Sequence, residues 1–101
     1  MSIIIAGHLL VDPAKRDEAL QQTIEGMTAT HAENGCVAYA FSADLIDPGK
    51  ILLFEKWESA EALASHAKSQ HLAEMQGKMG GWGITGVEIL KYEIASEGPL
   101  R

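Results

Sequence analysis

The chain has one cysteine, Cys36, in 101 residues. No disulfide can form within it, and a disulfide-stapled secreted scaffold is excluded. The lone thiol reads as a small buried apolar side chain, the usual state of a free cysteine. Positive charge is scarce as well: eight Lys and Arg against fourteen Asp and Glu leave a formal net charge of −6. That sign repels phosphate backbones and anionic lipid, so neither nucleic acid nor a membrane surface is expected as a partner. Long hydrophobic runs are missing. The apolar start of the chain is broken by Gly7 and His8, follows no basic residue and is far too short to span a bilayer. Neither a signal peptide nor an anchor is expected there, and cytoplasmic is the default location.

Several chemistries drop out for want of their motifs. There is no Gly-x-Ser-x-Gly elbow, and Cys36 has no base near it in sequence. Gly80-Gly81-Trp82-Gly83 ends a helical pattern and opens a strand pattern, the reverse of a phosphate-cradling loop. His66 and His71 are five apart across a helix break, so the i, i+4 geometry of a zinc helix does not apply. No metal and no cofactor is expected. Internal repeats, linkers and low-complexity segments are absent too.

What is present is an ordinary globular balance, 47% hydrophobic and 22% charged. It suits one domain over residues 1–95, with a frayed tail at 96–101 and a core small enough to gain from a partner subunit. Ser2 to Val11 is a β-branched, apolar strand. Asp12 and Pro13 fit the N-cap and first position of a helix whose apolar stripe is Leu20, Ile24, Met27 and His31, closed by Asn34-Gly35. Cys36 to Ala43 and Ile51 to Trp57 are strands joined through Asp47-Pro48-Gly49-Lys50. Ser59 and Ser69 cap two short helices, Gly80-Gly81 stops the second, and Trp82 to Ile94 reads as a long last strand. The order β-α-β-β-α-α-β predicts an α+β, ferredoxin-like fold: a four-stranded antiparallel sheet with helices on one face. In the first strand Ile3, Ile5, Leu9 and Val11 share one face and Ile4, Ala6, His8 and Leu10 the other. A sheet with one wet face does not look like this. With no helices left to cover the second face, a second copy of the chain is the simplest cover, and a homodimer is expected.

The residues that stand out lie between Phe54 and Leu72. Glu55 and Trp57, two apart on a strand, point the same way. A carboxylate among Leu53 and Phe54 needs a hydrogen-bond partner or a proton if buried, which suits either a structural network or catalysis. Trp57 suits a core aromatic as well as a ring-stacking surface. His66 and His71 follow on the short helices. Both suit helix-end roles, and imidazole is also the side chain best matched to proton transfer near neutral pH. His8 sits among apolar neighbours, and His31 at a helix end suits the negative dipole there.

Glu55, Trp57, Ser59, Leu63, His66, Ser69, His71 and Leu72 match a spaced pattern: Glu-x-Trp-x-Ser, a Leu, then His-x-x-Ser/Thr-x-His before Leu or Met. On these residues the chain resembles the antibiotic-biosynthesis monooxygenase domain in its quinol monooxygenase branch. The Glu33-Asn34-Gly35-Cys36 to Tyr39 segment is similar to the family's lead into its second strand. The resemblance implies a dimeric α/β barrel, two sheets packed together, with a pocket in each subunit between sheet and helices. It also implies oxidation of a phenol or hydroquinone to a quinone by O2 without a cofactor. Other members isomerise or degrade small oxygenated molecules. A haem-degrading branch is less similar: it has Asn on the first strand where Gly7 and His8 stand, and Trp and a haem-ligating His where His66 and Gln76 align.

The expected function is therefore a cofactor-independent monooxygenase for a small aromatic molecule. His66 is the proton acceptor, Glu55 orients it or a water, Trp57 stacks on the ring, and His71 and His8 are further polar pocket residues. Two alternatives stay open: an isomerase or degradative enzyme for a small oxygenated metabolite, and a non-catalytic dimeric binding protein. Turnover separates the last from the others, and oxygen gained by the product separates the first two.

Overall fold

A computed structural model describes all 101 residues. The elements are β1 (Ile3–Leu10), α1 (Arg16–His31), β2 (Cys36–Ala43), β3 (Lys50–Trp57), α2 (Ala60–Ala67), α3 (Gln70–Lys78), a 3-10 turn (Met79–Gly81) and β4 (Gly86–Glu93). The strands form one antiparallel sheet in the order β2-β3-β1-β4, an α+β ferredoxin-like arrangement. The sheet stays open at β2 and β4. Register places Ile5 beside Glu55 and Glu55 beside Tyr39, so these side chains share the face that the helices cover. On that face Leu9, Tyr39, Phe41, Ile51, Leu53 and Trp57 make the sheet's half of the core, and Ala19, Met75 and Trp82 close it from above. No helix is long and apolar enough to cross a membrane.

The short helices begin as expected. Ser59 Oγ accepts from Ala62 N and Ser69 Oγ from Leu72 N, each satisfying an otherwise unpaired first-turn amide. The first helix departs from expectation at its start. Asp12 Oδ1 accepts from Ala14 N at 2.9 Å, which turns the chain locally, and the helix begins only at Arg16 with no side-chain cap.

Its buried stripe also differs. Ala19, Thr23, Gly26 and Thr30 face inward, with Leu20 and Met27 beside them, whereas Ile24 is 49% exposed. Small residues let the helix sit close on its neighbours: a Cβ at Gly26 would lie 3.2 Å from Met75 Sδ. The threonines bury without loss because their hydroxyls donate to Leu20 O and Gly26 O at 2.6 and 2.7 Å.

Asn34 and Gly35 lie beyond the helix end at His31. Gly35 has φ +83°, and a Cβ there would meet Ala62 Cβ at 2.5 Å, so glycine is needed where the turn into β2 passes under α2. The last strand starts at Gly86 rather than Trp82. Trp82 is instead a core residue that donates from Nε1 to Gln22 Oε1 at 2.7 Å and fastens the turn after α3 to α1.

Candidate functional site

Strand β3 runs through the interior of the sheet, and its period of two aims both Glu55 and Trp57 at the helices. Helix α2 carries His66 near its C-terminal end, above Trp57. The ring centroids are 4.7 Å apart with a tilt of 34°, and Tyr39 meets the His66 ring edge-on at 5.2 Å. Ser69 ties the break between α2 and α3 by donating to His66 O at 2.7 Å while capping α3, which brings His71 round in the first turn of that helix.

A residue that the sequence pattern left in the background joins the two histidines. Glu33 follows α1, and its Oε2 lies 2.6 Å from His66 Nδ1 and 2.8 Å from His71 Nε2. An ionised carboxylate only accepts, so both imidazole nitrogens donate to it. In neutral His66 this fixes the proton on Nδ1 and leaves a lone pair on Nε2. That atom has no hydrogen-bond partner in the chain. His66 itself is only 3% exposed to the outside. Its side chain lines a cavity instead.

The cavity measures about 380 Å³ and lies between the sheet and the α2–α3 pair, and 13 of its 16 lining residues are hydrophobic. Ile5, Leu9, Phe41 and Leu53 floor it and Leu63, Leu72, Met75 and Met79 roof it. Glu55, His66 and Gln76 supply its polarity, and Tyr39 lines it as well. The β4 side is open, and Val87 there is 63% exposed. An apolar cleft of this size with a few converging polar groups fits a small aromatic molecule.

Glu55 is buried on the cavity wall, where its Oε1 accepts from Trp57 Nε1 at 2.9 Å. Burial pushes the Glu55 carboxyl above its usual range; the Trp57 hydrogen bond and, when the ring is protonated, the charge of His66 offset part of this, and the Glu33 charge adds to it. Tyr39 is raised well beyond an ordinary phenol, first by burial and then by the Glu55 and Glu33 charges, so its hydroxyl stays a donor. The Cys36 thiol is raised by burial and by the same two carboxylates, and the protonated form is a poor nucleophile.

The five residues singled out from sequence thus separate into three groups. His66 and Glu55 are on the cavity wall. Trp57 and His71 are directly behind His66, and neither lines the cavity. Trp57 is fully buried between sheet and helix, so it supports His66 and Glu55 rather than stacking on a bound ring. His8 is on the opposite face of the sheet, 3.9 Å from Glu88, because the odd-numbered residues of β1 are the ones that face the cavity. His31 ends α1 and donates to Tyr39 O at 2.7 Å, a tie between helix and β2. The ligating atoms of Glu33, His66 and His71 lie within 4.8 Å of one another, a convergence that the spacing of the two histidines alone did not reveal. Glu33 left only a weak trace in the sequence, as part of the lead into β2.

Known proteins place this geometry in context. The family model for antibiotic biosynthesis monooxygenases matches residues 2–78. An uncharacterised protein of Synechocystis is 33% identical over 95 residues, which is 92% of this chain but 63% of the relative, so the chain spans less than two thirds of that protein. Among solved structures, one from Deinococcus radiodurans, described as a candidate antibiotic biosynthesis monooxygenase, has a TM-score of 0.86 at 24% identity, covering 100% of this chain and 99% of its own. One from Mycobacterium tuberculosis has a TM-score of 0.85 at 23% identity, covering 98% and 100%. At these identities the structural likeness speaks for the fold alone.

Proposed function

The chain belongs to the antibiotic biosynthesis monooxygenase family, and within it we propose a cofactor-independent oxidation of a small phenol or hydroquinone to a quinone by O2. The observation that carries this reading is the free Nε2 of His66 on an apolar cavity wall, with Nδ1 held by Glu33.

A substrate hydroxyl donates to Nε2, and the imidazole takes the proton as the electron-rich phenolate forms. Glu33 lies where the resulting imidazolium needs a counter-charge. The phenolate is itself the reductant of O2. One oxygen atom enters the ring, the other leaves as water with the two hydrogens the ring system gives up, and the product is a quinone. Glu55 and Tyr39 also line the cavity and offer polar groups that can hydrogen-bond the substrate's oxygens. The hydrophobic lining keeps bulk water from the anion and from reduced oxygen. A second copy of the chain belongs to the same reading, packed on the sheet face that the helices leave uncovered.

The test is oxygen uptake with a reduced quinol or a polycyclic phenol, together with transfer of labelled oxygen from O2 into the product. Uptake should exceed autoxidation, and His66→Gln should lower turnover about 10²–10⁴-fold, the usual worth of a general base. Conversion without oxygen incorporation would favour an isomerase. Saturable binding with no conversion would favour a binding protein. Full turnover in the His66 variant would remove the base assigned here.

A further inference from the structure

We propose that Glu33, His66 and His71 form a binding site for a borderline divalent cation, zinc foremost, and that its occupancy turns the cavity-facing nitrogen of His66 from an acceptor into a donor. Three separate elements meet here: the segment after α1, the end of α2 and the first turn of α3. Two imidazoles and one carboxylate suit zinc and its first-row neighbours, whereas magnesium and calcium prefer oxygen donors throughout. The site is already convergent, with one carboxylate oxygen 2.6 and 2.8 Å from two imidazole nitrogens and all three donors within 4.8 Å. Around zinc, with bonds of about 2.0–2.1 Å, tetrahedral donors sit roughly 3.3–3.5 Å apart. Reaching that spacing requires Glu33 and His71 to shift, and the side chains of both are only partly buried. A fourth position is left for water.

A cation also has its own way in. On the side of Glu33 away from the apolar cavity lies an open polar recess walled by Glu58, Ser59, Glu61 and Ser65. Its two further carboxylates attract a cation to Glu33 without a passage through the hydrophobic pocket.

The consequence for His66 follows from proton bookkeeping. A cation on Nδ1 takes the lone pair of that nitrogen, so the single proton of the neutral ring must reside on Nε2. No proton is lost from the ring; it changes sides. The atom facing the cavity then donates and can no longer accept a proton from a bound hydroxyl. The inhibitory effect therefore rests on His66 being the base proposed above, while the binding itself does not.

The experiment uses the full chain stripped of metal by chelator and titrated with zinc by calorimetry and with cobalt(II) by visible absorption, in physiological salt with excess magnesium. One equivalent per chain and the absorption of four-coordinate cobalt are expected. His71→Gln and Glu33→Gln should each weaken binding by at least about ten-fold, since losing a ligand costs no less than losing its outer-sphere support. His8→Gln, on the far face of the sheet, should bind like the parent. In nitrogen NMR of the unsubstituted chain, zinc should move the His66 proton from Nδ1 to Nε2. No saturable binding, or affinity indifferent to His71→Gln, overturns the site, and binding with the tautomer unchanged overturns the inversion. No substrate is present in any of these measurements, so they give the same answer whether or not the chain is an oxygenase.

Discussion

Glu55 is a carboxyl held where water is scarce, and its cost to the fold depends on pH. Burial raises its folded-state pKa, so between the ordinary carboxylate range and that raised value the folded chain binds more protons than the unfolded one. Stability contributed by the neutral carboxyl is present in full below about pH 4 and is lost as pH rises through the folded pKa. Glu55→Gln keeps a carbonyl for Trp57 Nε1 and has no charge to bury. In urea titrations the variant should match the parent near pH 4 and overtake it towards neutrality; a constant gap at every pH would mean that shape rather than charge sets the difference. Trp57→Phe tests the neighbouring role. It strips the Nε1–H from Glu55 Oε1 and should cost about 1–3 kcal/mol, the usual penalty for a buried polar atom left without its partner. Because Trp57 backs His66 and does not line the cavity, the variant should lower turnover without a selective loss of substrate affinity. A selective loss would place the indole against the substrate after all.

At the scale of elements, α2 and α3 span only eight and nine residues, too short to persist in water on their own. They roof the cavity and carry both histidines, so their end chemistry matters more than in a long helix. Ser59→Ala should cost about 1 kcal/mol through loss of the cap on Ala62 N. Ser69→Ala loses a cap and, in addition, the hydroxyl that donates to His66 O. Hydrogen exchange should therefore quicken across α2 and α3 in Ser69→Ala by more than in Ser59→Ala, with β1 and β3 amides little changed. Equal exchange in the two variants would show that the junction between the helices is held by packing rather than by Ser69.

For the whole molecule, the uncovered sheet face sets the expectation. Leu52, Phe54, Leu90 and Tyr92 lie on it with 38–50% exposure, and large apolar side chains grouped on one uncovered face are what an interaction surface offers. Two such faces stack at the roughly 10 Å spacing of packed sheets. Light scattering at micromolar concentration should give twice the chain mass, and Phe54→Glu should give a folded monomer, since a charge cannot be buried there without a partner. A parent chain that is monomeric under these conditions would leave the face without its proposed cover.

Much of this protein is written in nearest-neighbour chemistry. Ser59 and Ser69 announce their helices because a cap acts within three residues. The alternation in β3 sets Glu55 and Trp57 on one side because successive strand side chains point oppositely. The same alternation already separated His8 from Ile5 and Leu9, but nothing local says which of two apolar faces the helices will cover. Likewise an inward stripe of Ala19, Thr23, Gly26 and Thr30 carries little hydrophobic signal; it is favoured only once Met75 is there to pack against Gly26. The site depends on the tertiary fold most of all. Glu33 reaches His66 and His71 across 33 and 38 residues of chain, and no spacing rule spans such distances. The sequence by itself determined the elements, their order and the residues able to move a proton. Only the crossing of α1, α2 and α3 over the sheet decided that one carboxylate oxygen would hold two imidazoles, because that contact belongs to the meeting of three elements and to none of them alone.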